Sequence, residues 1–192
     1  MLTLRPAQAT DVPLILALIR ELADYEKLLH AVDASEEALQ AALFAAVPRV
    51  FCDIAEWDDG TQRRPAGFAL WFYNFSTFRG RHGIYLEDLF VRPEYRGRGI
   101  GKALLVQLAE RCVRERLTRL EWAVLDWNEP ALRFYRSLGA LDLRGWIPHR
   151  VTDEALQVLA QSGLSGGAAA TTHGSPAPPP PRPARWGRCP GT

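Results

Sequence analysis

The chain has 192 residues, of which 47% are hydrophobic, enough for one domain of ordinary size with a real core. Its net charge of +1 excludes the strongly basic balance of a nucleic-acid binder. There is no signal peptide and no apolar run long enough to span a bilayer, so a soluble, cytoplasmic protein is expected, with no membrane partner. Cys52, Cys112 and Cys189 lie far apart without metal-ligand spacing, and the first two sit in apolar contexts. They read as free thiols in a reducing compartment rather than as a disulfide or a metal site.

Leu2 to Arg5 alternates and predicts a short first strand. Thr10 or Asp11 caps a helix with Pro13 in its first turn, and Leu14, Ile15, Leu18, Ile19 and Leu22 form its core face. Tyr25 and Glu26 fall at its far end. Ser35 starts a second, alanine-rich helix to about Ala46, which Pro48 ends. A hairpin follows, from Val50 to Trp57, through Asp58-Asp59-Gly60, and back from Pro65 to Tyr73. Asn74 to Gly83 reads as a polar loop carrying Phe78, Arg79, Arg81 and His82.

The most informative stretch is Tyr85 to Val106. Tyr85 to Val91 is β-prone, and Arg92-Pro93-Glu94-Tyr95 is a turn, because proline disfavours helix at the residue before it. Arg96-Gly97-Arg98-Gly99-Ile100-Gly101 places glycines at alternate positions, and Lys102 to Arg116 has helical spacing. A strand, a glycine turn and a helix N-terminus make an anion site: N–H groups are unpaired, and no Cβ obstructs a bulky diphosphate. Arg96 and Arg98 add charge for phosphate oxygens. The loop is neither a G-x-x-x-x-G-K-[ST] nor a G-x-G-x-x-G motif.

Thr118 to Leu125 predicts a fifth strand. Asn128 then caps a helix through Leu138, with Pro130 in its first turn and Gly139 ending it. Leu141 to Val151 reads as a last β segment, followed by a short helix to about Ala160. Residues 161–192 are dominated by Gly, Ala, Pro, Ser and Thr and read as a disordered tail appended to a domain over residues 1–160. The tail holds Arg182, Arg185 and Arg188 without an acid, which leaves 20 basic and 22 acidic side chains in residues 1–160. That balance is compatible with a cationic substrate.

Arg96 to Gly101 resembles the acetyl-CoA pyrophosphate loop, R/Q-x-x-G-x-G/A, of the GNAT family of N-acetyltransferases. Tyr85-Leu86-Glu87-Asp88-Leu89-Phe90-Val91, Trp127-Asn128-Glu129-Pro130-Ala131 and Phe134-Tyr135-Arg136-Ser137-Leu138-Gly139-Ala140 narrow the resemblance to the diamine acetyltransferase branch, the spermidine/spermine and thialysine enzymes. Glu21 to Glu26 is a fourth, weaker match. The resemblance covers residues 2 to about 160.

It implies a mixed α/β fold with a mostly antiparallel sheet flanked by helices, and direct acetyl transfer from acetyl-CoA to a small primary amine without a metal. It gives the pyrophosphate to Arg96, Gly97, Arg98, Gly99, Ile100, Gly101 and Lys102, and the pantetheine and thioester to Leu89, Phe90 and Val91, with Asn128 on the other side. It makes Tyr135 the general acid. Glu87 holds the amine and helps take its proton through water, and Tyr25 and Glu26 are further substrate contacts. It also implies a homodimer with the segment after Gly145 at the interface. The chain departs from the branch at residues 74–83, where the family's acid is missing and Phe78 stands in place of a tryptophan. Acetylation of an amino acid, a peptide or an aminoglycoside therefore stands beside the polyamine reading, as do a non-catalytic acyl-CoA-binding module and a scaffold recruited through the proline tail.

Overall fold

A computed structural model describes residues 1–163. Met1–Ala140 form one compact unit, and a second begins at Leu141. In the first, five strands stand in chain order: β1 Leu2–Pro6, β2 Phe51–Asp58, β3 Arg63–Ser76, β4 Arg81–Val91 and β5 Leu120–Trp122. Neighbours from β1 to β4 are antiparallel, and β5 joins β4 in parallel. This is the mixed α/β, mostly antiparallel architecture that the sequence implies.

Helices cover both faces. α1 (Val12–Tyr25) and α2 (Glu36–Phe44) bury Ile15, Leu18 and Leu43 against Ile54, Phe68, Leu70 and Phe90. α3 (Ile100–Arg114) lays Ile100, Leu104, Leu105 and Leu108 on Ala69, Trp71, Ile84 and Leu86, with Phe134 and Tyr135 of α4 (Glu129–Ser137) packed against the same cluster. Burial of these side chains supplies the main stabilisation, about 1.5–3 kcal/mol for each large apolar one.

Local chemistry sets the ends of the elements. Ser35 Oγ accepts from the Ala38 N–H, so α2 starts where a capping serine predicts. Asp11 precedes α1 but does not cap it. Its carboxylate accepts two bonds from Arg5, at 2.6 and 2.9 Å, and one from the Gln8 N–H at 2.7 Å. Arg5 also donates to Glu56 at 2.9 Å, which ties β1 to β2 and to the start of α1.

Three further expectations are corrected. The segment 74–83 is largely strand: Asn74 pairs with Gly83, Phe75 with His82 and Ser76 with Arg81, and the turn narrows to residues 77–80. Polar residues enter strands when a partner backbone is available, which composition does not reveal. The fifth strand covers only Leu120–Trp122 rather than Thr118 to Leu125, because it leaves β4 after Trp122. In the second unit, Leu141 to Val151 forms no strand, and the unit's one described element is the helix α5, Asp153–Ser162. Extended residues become a strand only beside another, and that unit describes none. The proline tail lies outside the described residues. Among the described residues, no helix is long and apolar enough to cross a membrane. Cys52 and Cys112 are buried and free, as expected, and Cys189 lies outside the described residues.

Candidate active site

The end of the β4–β5 ladder organises the site. β4 pairs with β5 through Ile84↔Leu120, Tyr85↔Glu121 and Leu86↔Trp122, and there the parallel ladder stops. From Glu87 to Val91, β4 keeps β3 on one side but has no strand on the other among the described residues. Leu89, Phe90 and Val91 therefore lie along an open strand edge.

At the same point β4 carries a bulge. Trp71 pairs with Leu86 and Leu70 with Asp88, so Glu87 has no partner on β3. One inserted residue exchanges the faces of everything beyond it. Leu86, Leu89 and Val91 join the cluster under α3, whereas Asp88 shares its face with Leu70 and Phe90, toward α1. Glu87 is exposed and Asp88 is half-buried. Burial, with the charges of Glu87 and Glu26 added, pushes the Asp88 carboxyl up to about 6.

Beyond β4, a short turn at Pro93–Tyr95 leads into the glycine loop. Gly97 and Gly99 have φ of +74° and +78°, a conformation that L side chains rarely adopt. The first helical bond runs from the Ala103 N–H to Gly99 O. The N–H groups from Gly97 to Lys102 thus have no backbone acceptor among the described residues. A row of free donors at the positive end of a fifteen-residue helix is suited to a diphosphate. Lys102 is exposed beside them, and Ile100 is buried as the anchor of the turn.

The two loop arginines rest on aromatic rings. The Arg96 guanidinium lies 4.7 Å from the Tyr25 ring and 5.9 Å from Phe90, and its Nε donates to Val91 O at 2.9 Å. Arg98 lies 5.0 Å from Trp57 and 5.7 Å from Tyr95. Both side chains are exposed, so these contacts hold them loosely near the loop.

α4 closes the other side of the gap. Asn128 is buried and caps it, accepting from the Ala131 N–H at 3.3 Å, and the Tyr25 hydroxyl donates to the same oxygen at 3.4 Å. Two turns beyond the cap, Tyr135 packs on Trp122 with ring centroids 5.0 Å apart and on Phe134 at 5.3 Å. Burial raises the Tyr135 phenol to about 12, with a further contribution from the Glu26 charge. Burial likewise raises the Glu26 carboxyl. Glu26, at the end of α1, thus acts electrostatically on Asp88 toward one face of β4 and on Tyr135 toward the other. A cavity of about 110 Å³ lies elsewhere, lined by Phe51, Asp53, Trp71 and Arg111 among others.

The expected residues therefore converge: Tyr25, Glu26, Glu87, Asn128 and Tyr135 surround the open edge of Leu89 to Val91, beside the loop from Arg96 to Lys102. The family model for the acetyltransferase (GNAT) family matches residues 16–140. The chain belongs to the GNAT acetyltransferase family. Among GNAT proteins it is 44% identical to a thialysine N-ε-acetyltransferase of Bos taurus, over 82% of this chain and 96% of that protein. It is 32% identical to an L-ornithine N5-acetyltransferase of Arabidopsis thaliana, over 81% of this chain and 86% of that one. A solved integron cassette protein from the mobile metagenome of V. cholerae superposes with a TM-score of 0.68 at 27% identity, covering 83% of this chain and 98% of its own. These relatives agree with the diamine-branch resemblance of the GNAT motifs.

Two features of this GNAT site escape sequence reasoning. Strict alternation sets Glu87 and Asp88 on opposite faces and says nothing of a bulge; adjacent acids inside an apolar strand are the signal. The stacking of Arg96 on Tyr25 joins two segments 71 positions apart in the chain, and no local pattern reports it.

Proposed function

We propose that the protein transfers an acetyl group from acetyl-CoA to a small primary amine of the diamine or thialysine type. The observation that carries this reading is the gap where β4 leaves β5, with Tyr135 against Trp122 on one flank and the Glu26 charge acting on Tyr135 and Asp88.

The residues around the gap suit acetyl-CoA. The free N–H groups of Gly97 to Lys102 and the charges of Arg96, Arg98 and Lys102 would hold its diphosphate. The open edge from Leu89 to Val91, with Asn128 opposite, would take the pantetheine as an added strand takes its neighbour. When bound, acetyl-CoA supplies an activated thioester. Backbone N–H groups of the β4 edge would donate to its carbonyl oxygen as negative charge develops there.

The protein's own groups manage protons and charge. A carboxylate-lined approach favours a cationic amine: Glu26 and Asp88 face it, and Glu87 stands exposed at the bulge as an outer contact. Tyr135 stays protonated throughout the neutral range, so it can donate to the departing sulfur. A phenol near 12 gives up a proton to a thiolate reluctantly, because an ordinary thiol sits at about 8.5. An ammonium beside Glu26 would offset the charge that holds the phenol up, and would thereby strengthen the acid when substrate is bound. Relatives named for thialysine and ornithine support an amino acid bearing a side-chain amine as the substrate.

The test is thiol release from acetyl-CoA with thialysine, ornithine, lysine, spermidine, spermine, putrescine and a short peptide. Turnover with an amino-acid diamine supports the reading. Cofactor binding without turnover on any amine replaces it with a non-catalytic acyl-CoA-binding role.

A further inference from the structure

A second polar cavity lies outside the acetyl-transfer site. β1 ends at Pro6, and beside that end α2, β2, β3 and α3 line a cavity of about 110 Å³. None of its lining residues belongs to the gap beside β4. Leu43, Phe44, Phe51 and Trp71 give it an apolar, largely aromatic wall. Asp53 and Arg111 add one charge of each sign, and burial keeps the Cys52 thiol protonated.

The two charged side chains have hydrogen-bonding capacity to spare. A carboxylate offers about four acceptor sites and a guanidinium about five N–H donors. Asp53 is buried, and among the described residues two donors reach it, the Trp71 indole at 2.8 Å and the Gln107 side chain. The Arg111 guanidinium lies 4.8 Å from the Trp71 ring, and its Nη1 donates to Glu115 at 3.1 Å. Its Nε is buried and has no hydrogen-bond partner among the described residues. A buried donor left unpaired is unfavourable, so a ligand that supplies an acceptor there gains by it. One indole therefore gathers both groups: its N–H meets Asp53 and its face carries Arg111.

We infer that this cavity binds a small apolar α-amino acid of about the size of alanine, its ammonium on the Asp53 carboxylate and its carboxylate on Arg111 Nε. The zwitterion matches both charges at once, and each of its ends fills capacity that the protein leaves open. Its short side chain suits the apolar wall, as small-molecule sites combine an apolar lining with a few placed polar groups. Size sets the limit. An apolar cavity of about 150 Å³ admits benzene, with about six non-hydrogen atoms, and alanine has about the same number. A long diamine amino acid exceeds that volume, which separates this ligand from the substrate proposed for the gap. Trp71 reports on occupancy, because its indole N–H is bonded to the carboxylate that the ammonium would reach.

The test follows the Trp71 indole N–H resonance of the full chain by NMR, assigned with Trp71→Phe, as alanine is added at neutral pH without acetyl-CoA. The resonance should shift saturably, with a dissociation constant of about 5 mM or tighter. Ethylamine and propionate each lack one of the two charges and should bind at least about tenfold more weakly. Phenylalanine should leave the resonance in place. Asp53→Asn and Arg111→Met, folded by circular dichroism, should each weaken alanine by at least about tenfold, whereas Glu26→Gln, at the gap, should not. A resonance unmoved at about 20 mM alanine overturns the site. So does an equal response to ethylamine, propionate or phenylalanine, or undiminished binding in Asp53→Asn. Propionamide that binds as tightly as alanine overturns the amino acid in favour of an uncharged carboxamide. If Arg111→Met does not fold, Asp53→Asn decides alone. Thiol release plays no part in the readout, so a failure of acetyl transfer leaves these outcomes unaffected.

Discussion

The hydroxyl of Tyr25 donates to Asn128 Oδ1 across 3.4 Å, and so joins the end of α1 to the N-cap of α4 over the gap between β4 and β5. The bond is long and therefore weak. Its importance is positional, because the same tyrosine ring carries the Arg96 guanidinium. One residue thus touches both the N-cap of α4 and the loop that precedes α3.

Tyr25→Phe keeps the ring under Arg96 and removes the hydroxyl. Its melting temperature stays within a few degrees, since a long, part-buried bond contributes about 1 kcal/mol or less. The KM for the amine rises by about three- to tenfold, while the acetyl-CoA dissociation constant stays within about twofold. Steady-state kinetics with a separate binding titration of acetyl-CoA checks both statements.

Glu26→Gln removes a charge that adds to burial in raising both Asp88 and Tyr135. The expected result is a lower Asp88 carboxyl, followed by NMR titration, because Asp88 loses a like-charged neighbour. The amine KM rises at the same time, as a cationic substrate loses a contact. An Asp88 titration that stays in place contradicts the placement of Glu26 beside Asp88.

Asp11 offers a stability test away from the site. Its hydrogen bonds from Arg5, foremost, hold its carboxyl below the usual range. A depressed carboxyl contributes stability that is present above the unfolded value of about 4 and is lost as pH falls through the folded value. Asp11→Asn should cost about 1–3 kcal/mol at neutral pH and flatten the loss of stability on acidification below about pH 4. Urea unfolding at several pH values reads this directly.

Asp53 should behave in the opposite sense. It is 3% exposed, burial raises its carboxyl, and the Trp71 indole donates to it at 2.8 Å. A raised carboxyl makes the folded state more stable as pH falls through the folded value. Asp53→Asn keeps an acceptor for Trp71 and removes the buried charge, so its melting temperature at neutral pH should exceed wild type. Trp71→Phe removes one donor to the carboxylate, leaving it Gln107 and the Arg111 charge, and should cost about 1–3 kcal/mol.

These residues also show where sequence reasoning reaches. Ser35, Asn128 and Gly139 announce the helix ends because capping and a left-handed residue are local chemistry. Pro93 and the alternate glycines announce the turn and the start of α3 for the same reason. The bulge at Glu87 and the short β5 are not local. Alternation of Leu120 and Trp122 tells which residues share a face, not how long β4 remains alongside. Asn74 and Ser76 enter a strand because Gly83 and Arg81 pair with them. Asp88 turns toward α1 because the inserted residue at Glu87 exchanges the faces beyond it, which strict alternation does not report.

The most direct test is the turnover of Tyr135→Phe at saturating amine and acetyl-CoA, followed as thiol release. The account predicts a kcat at least about 100-fold below wild type, with acetyl-CoA affinity within about twofold and an unchanged melting temperature. A folded Tyr135→Phe variant whose kcat stays within about threefold of wild type would contradict the role of Tyr135 as the proton donor.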